Sequence, residues 1–145
     1  ADRAKAEGVI VGIDGYTTAN WNLFVNLVAR ECVINGLELE VVDAAKAVLK
    51  SGKEIDDMID PLLIWDTKID PTLLYGKLYH GGYIGLFDQA KMEQFRNDVP
   101  AMKAPGKLVV VAGYGCMTAE LRDLYDIKCW FDITPMKTML RIRGA

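Results

Sequence analysis

Asp14 closes the apolar run VIVGI and Asp43 closes LELEVV; a carboxylate in that position can hold a cation or the hydroxyls of a sugar, and is equally suited to capping the turn or helix that follows. The segment after Asp14 reads GYTTAN. In it Gly15 allows a tight turn, while Tyr16, Thr17 and Thr18 offer hydroxyls to a phosphate or sugar, or serve only as loop and cap residues. A third segment, AGYGCMTAE, follows the run LVVV and puts Gly113 at the matching point. What these segments lack is equally informative. No Lys or Arg occurs from Gly8 to Ala29, and the run at 107–113 ends in Ala112-Gly113 rather than in a carboxylate. A helix N-terminus can hold one phosphate through backbone N–H groups, but a triphosphate requires a lysine and a side chain for magnesium as well. Each missing electrostatic contact to a migrating phosphoryl group is worth on the order of several kcal/mol, so phosphoryl transfer is disfavoured.

Cys32, Cys116 and Cys129 are odd in number, widely spaced and without a Cys-x-x-Cys pair, and His80 is the single imidazole. This pattern supports neither a disulfide framework nor a zinc site, and no metal is assigned. Cys116 is either a buried reduced thiol or a nucleophile with His80 as its base. His80 itself, in LYHGGYIG, is either a ligand contact or a surface residue without a role.

The elements that must position these residues follow from periodicity. Residues 9–13 read as a buried strand, and Thr17 or Thr18 is placed to cap a helix whose apolar face is Trp21, Phe24, Val25, Val28 and Cys32, with Gly36 as its left-handed stop. A strand at 37–43 closes a parallel β-α-β unit, which sets Asp14 and Asp43 on neighbouring strands. Helices follow at 44–50 and 54–63, then a loop-rich stretch at 64–88, and a helix begins near Asp88. PAMKAPG reads as a connector that no helix continues through. Residues 107–113 form the clearest strand, 118–125 a helix capped by Thr118, 127–133 a further strand, and Pro135 opens a last helix carrying Met136, Met139 and Leu140 toward Arg141 and Arg143. Trp21, Phe24, Trp65, Trp130 and Phe131 belong to the core or to an interface.

Alternating strands and helices in 145 residues predict a single α/β domain, 1–145, with a doubly wound, mainly parallel sheet covered by helices on both faces and ligands at the carboxyl ends of its strands. The chain is 51% hydrophobic and 26% charged with net charge -3, and its basic residues are scattered, so a nucleic-acid partner is not expected. No apolar run is long enough to span a membrane and the start, ADRAKAEG, is not a signal peptide, which predicts a cytoplasmic protein.

LVVVAGYGCMTAELRDLYDIKCWFDITPMKTMLRIRGA is similar to the stretch of uridine kinases in which a strand ends in Glu-Gly, a leucine-rich helix and an Arg-Asp-Leu turn follow, and a second strand closes on Asp before an Arg-rich lid. GIDGYTTA resembles the opening of the same family. Closer still is the kinase-like domain that accompanies class I mannose-6-phosphate isomerases, which IDGYTTANW, DPTLLYGKLYHGGYIGLFD and LRIRGA resemble. The resemblance implies a three-layer, P-loop-kinase-like fold, puts Asp43 where the family has its catalytic base, and makes Arg141 and Arg143 lid arginines that clamp phosphate. It also implies an adjoining cupin isomerase domain as a partner. Ala112 stands where the family has glutamate, and Ala44-Ala45 where it has an aromatic pair.

The expectation is therefore a catalytically degenerate domain that binds or senses a small phosphorylated sugar or nucleoside, or docks on the isomerase domain, and needs no cofactor. An active kinase using ATP and magnesium with Asp43 as base, and a purely structural module, are the alternatives.

Overall fold

The β-branched run Val9–Gly15 is buried along its whole length and forms the strand β1. It is the second strand from one edge of a four-stranded, fully parallel sheet whose other strands are β2 (Glu38–Asp43), β3 (Lys107–Ala112) and β4 (Ile127–Phe131), in the order β2-β3-β1-β4. The computed structural model describes residues 1–16, 18–66, 68–71 and 76–144. Among the described residues six helices surround the sheet: α1 (Asp2–Glu7), α2 (Trp21–Asn35), α3 (Ala44–Val48), α4 (Gly52–Ile59), α5 (Gln89–Ala101) and α6 (Pro135–Ile142). This is the three-layer α/β arrangement expected.

Strand alternation divides the core in two. Val9, Val11 and Ile13 of β1 and Val110 of β3 meet Ala4 of α1 and the stripe Trp21, Phe24, Val25 and Val28 of α2. Ile10, Val109 and Val111 face the other way, against Val48 of α3 and Phe95 and Val99 of α5. Burying each such side chain contributes about 1.5–3 kcal/mol. Gly12 lies on this second face by alternation with Ile10, and the Tyr125 ring occupies the space of a side chain there; a Cβ at Gly12 would stand 2.2 Å from Tyr125 Cδ2.

Several expectations need correction. Asp14 and Asp43 do not end neighbouring strands: β2 pairs with β3 from Glu38↔Lys107 to Asp43↔Ala112, which puts β3 between them. Thr18 does not cap α2: it has a left-handed φ of 68°, and Asn20 precedes the helix without a side-chain cap bond; Thr17 lies outside the described residues. Gly36 does end α2 in the left-handed region, at φ 66°. α4 begins at Gly52 rather than at the expected 54, because Ser51 and Glu54 form a reciprocal capping box, and it ends at Ile59 rather than at 63. α5 ends at Ala101, one residue beyond Pro100. The helix expected at 118–125 is absent: the segment is a series of turns ending in a 3-10 turn at Arg122–Leu124. Its helical spacing arises because Leu121, Leu124 and Tyr125 reach the core from successive tight turns.

Candidate functional site

β1 delivers Asp14 to the carboxyl edge of the sheet, where it is 5% exposed. Its Oδ1 accepts from Gly15 N at 2.8 Å, and its Oδ2 accepts from Gly115 N at 3.1 Å and Met117 N at 3.0 Å. A carboxylate with three backbone donors is a clamp: it holds the turn after β3 against the end of β1. Gly115 sits in that turn at φ +90°, and a Cβ there would meet Tyr83 Cε1 at 2.6 Å. Gly15 is similarly constrained, since a Cβ would stand 2.5 Å from Phe131 O. Tyr16 is anchored by its backbone, its N–H donating to Phe131 O at 2.9 Å, and its side chain is exposed.

The hollow above Asp14, about 350 Å³, is lined by Gly15, Tyr16, Tyr83, Tyr114, Gly115, Met117, Thr118 and Trp130 as well. Burial, followed by the charge of Asp14, pushes the Tyr83 phenol up to about 12. The Thr118 hydroxyl is buried and has no hydrogen-bond partner among the described residues.

Asp43 and Gly113 belong to a different hollow of about 410 Å³, shared with Trp21, Val41 and Tyr114. Asp43 caps α3, with Oδ1 accepting from Lys46 N at 3.1 Å and Oδ2 lying 3.6 Å from Lys46 Nζ. Gly113, at φ +145°, lets the chain pass close over α3, and a Cβ would be 3.1 Å from Ala45 N. Tyr114 stands between the two hollows, its ring edge-on to Trp21 at 5.0 Å and its hydroxyl accepting from Thr18 N at 3.2 Å.

Arg141 lies in a third hollow of about 370 Å³ with Asn20, Asp132, Thr134 and Lys137. One of its N–H groups donates to Thr18 O at 2.5 Å, tying α6 to the loop before α2. Arg143 is exposed and lines none of these hollows.

The expected single crevice is therefore resolved into three. Asp14, Gly15 and Tyr16 share one, Asp43 and Gly113 the second, and Arg141 stands in the third; Thr17 lies outside the described residues. Sequence reasoning missed Tyr83 and Lys137 as lining residues, brought Tyr114, Met117 and Thr118 to the ligand edge only as part of the segment AGYGCMTAE, and assigned Trp130 to core or interface. The alternation of β4 carried a usable signal for Trp130, because it must face opposite to Phe131, which packs beside α2. Cys116 is fully buried, with Sγ 3.5 Å from Val111 O, and burial pushes its thiol up to about 12, so it is no nucleophile. His80 is exposed. Among the described residues no group of three His, Cys, Asp or Glu side chains is placed to hold a metal ion, and no helix is long and apolar enough to cross a membrane.

The family model described as Domain of unknown function (DUF8485) matches residues 1–145, and the chain belongs to that family. No curated protein matches it.

Proposed function

We propose that this member of the family is a catalytically silent, uridine-kinase-like domain that binds a small phosphorylated sugar or nucleoside at the carboxyl edge of its sheet. The observation that carries the reading is the use of Asp14: its three backbone hydrogen bonds make it a structural clamp rather than a base or metal ligand. Asp43 gives one oxygen to the α3 cap and faces Lys46 with the other, two strands away from Asp14. That separation does not suit two carboxylates sharing one metal-bound phosphoryl group.

Phosphate binding without transfer has a better seat. Arg141 and Lys137 line one hollow with Asn20 and Thr134, and the Arg141 guanidinium, with five donors, gives one of them to Thr18 O. Asp132 in the same hollow directs Oδ1 to Ile133 N at 2.8 Å. Two cations against one acid leave the hollow suited to an anion. Such metabolites belong to the cytoplasm, and the free thiols of Cys32, Cys116 and Cys129 are in keeping with a reducing compartment.

Titration calorimetry with mannose 6-phosphate, uridine monophosphate and uridine tests the reading. At least one phosphorylated compound is expected to bind, and Lys137→Gln to weaken it roughly tenfold, the effect of one charge-assisted hydrogen bond. Absence of binding by both phosphorylated compounds, or equal binding by Lys137→Gln, contradicts it.

One observation favours docking on an adjoining cupin isomerase domain as a second reading. α6 turns Thr138 and Arg141 toward the body and leaves Met136, Met139 and Leu140 exposed. Under this reading Met139→Glu abolishes co-elution of the domain with a separately produced isomerase domain.

A further inference from the structure

The hollow above Asp14 differs from the phosphate seat in every electrostatic respect. Four aromatic side chains line it, Tyr16, Tyr83, Tyr114 and Trp130, and none of its described lining residues is Lys, Arg or His. Among the described residues lining it, the one formal charge is the Asp14 carboxylate, which is 5% exposed. Ring faces carry negative quadrupole potential, and the Asp14 carboxylate beneath them keeps its formal charge while accepting from three backbone N–H groups, so the hollow favours a cation over an anion.

The walls are also fixed in advance. Tyr83 packs edge-on against Phe87, with centroids 5.8 Å apart and an interplanar angle of 87°, and Tyr114 packs edge-on against Trp21 at 5.0 Å. The floor is the turn that Asp14 holds through Gly115 N and Met117 N, and only glycine at 115 allows Tyr83 to approach so closely. Meanwhile Tyr16, Tyr83 and Trp130 remain 47%, 40% and 60% exposed, although burying them elsewhere would be favourable. Exposed aromatics converging on one rigid, electronegative hollow have the character of a binding box.

We infer that this hollow is a site for a small organic cation of the alkylated-ammonium class, held by cation–π contact with Tyr83, Tyr114 and Trp130 above the Asp14 carboxylate. The volume, about 350 Å³, accommodates a small free ligand. The Thr118 hydroxyl, buried and unpartnered among the described residues, offers a hydrogen bond to a hydroxyl or carbonyl carried by the same molecule. This site is separate from the Lys137–Arg141 hollow and does not depend on it.

The full chain is titrated by calorimetry with choline, with tetramethylammonium and with 3,3-dimethylbutan-1-ol, the uncharged carbon isostere of choline. Both cations are expected to bind, and the neutral isostere to bind at least roughly tenfold more weakly. Trp130→Ala and Tyr83→Leu are each expected to weaken choline by a similar factor, while circular dichroism shows the fold intact and the affinity for sugar or nucleoside phosphates is unchanged. Equal binding of choline and its neutral isostere overturns the inference, as does failure of both cations to bind the unaltered protein at millimolar concentration. Choline binding that survives Trp130→Ala and Tyr83→Leu together also overturns it. Loss of phosphate binding alone bears on the proposed function and leaves this site standing.

Discussion

Asp14 shows how a single side chain can be placed from sequence while its partners stay hidden. Its position at the end of an apolar run marked it for the carboxyl edge, and it is there; its three hydrogen bonds come from residues up to 103 positions away, which no local pattern reveals. Asp14→Asn replaces one acceptor oxygen by a donor facing a backbone N–H, so the substitution is expected to destabilise the fold by about 1–3 kcal/mol in urea denaturation. A variant as stable as the parent would show that the clamp is not structural. Gly12 was legible only as part of a strand, because the demand on it comes from the Tyr125 ring crossing behind it. Gly12→Ala is expected to lower stability by about 1–3 kcal/mol through overpacking, measured in the same way.

At the level of elements, β-branched runs located β1 to within two residues and β3 to within one, and the spacing of Trp21, Phe24, Val25 and Val28 gave the inward face of α2. The expected helix at 118–125 failed for a physical reason. Gly113 and Gly115 take φ of 145° and 90°, and Asp14 draws Gly115 N and Met117 N toward itself, so the chain leaves β3 in turns that never reach a helical register. Leu121 is fully buried at the end of those turns. Leu121→Ala is expected to cost about 2–5 kcal/mol, the range for a core leucine, seen as a fall in the urea midpoint at unchanged m-value. A loss below about 1 kcal/mol would mean the segment is not anchored there.

Over the whole molecule, the parallel sheet and its two covered faces were readable from the alternation of strands and helices, but the order of strands was not. β2 carries Glu38 and Glu40 beside Lys107 of β3, with Lys107 Nζ 2.6 Å from Glu40, and this pairing, invisible to local spacing, separates Asp43 from Asp14. The hollows of Asp14 and Asp43 are distinct as a result. Asp126 joins distant parts of the fold: it accepts from Ile10 N at 2.9 Å, from Lys103 Nζ at 3.0 Å and from Arg3 at 2.9 Å. Burial alone would raise its carboxyl, but the Ile10 and Lys103 hydrogen bonds and the nearby positive charges outweigh it and hold it below the usual value. A carboxyl depressed in the folded state contributes stability above the unfolded value of about 4, and loses it as pH falls through the lower folded value. Asp126→Asn is therefore expected to lower stability near neutrality by about 1–3 kcal/mol and to flatten its decline below about pH 4; a parallel decline in parent and variant would contradict this. The central claim, a kinase-like scaffold that binds without transferring phosphate, is tested most directly by following ATP, magnesium and uridine or mannose with the protein by phosphorus NMR. The account predicts that the γ-phosphate signal stays at the level of the protein-free control. A phosphomonoester signal that grows with protein concentration and disappears in Asp43→Asn would contradict it.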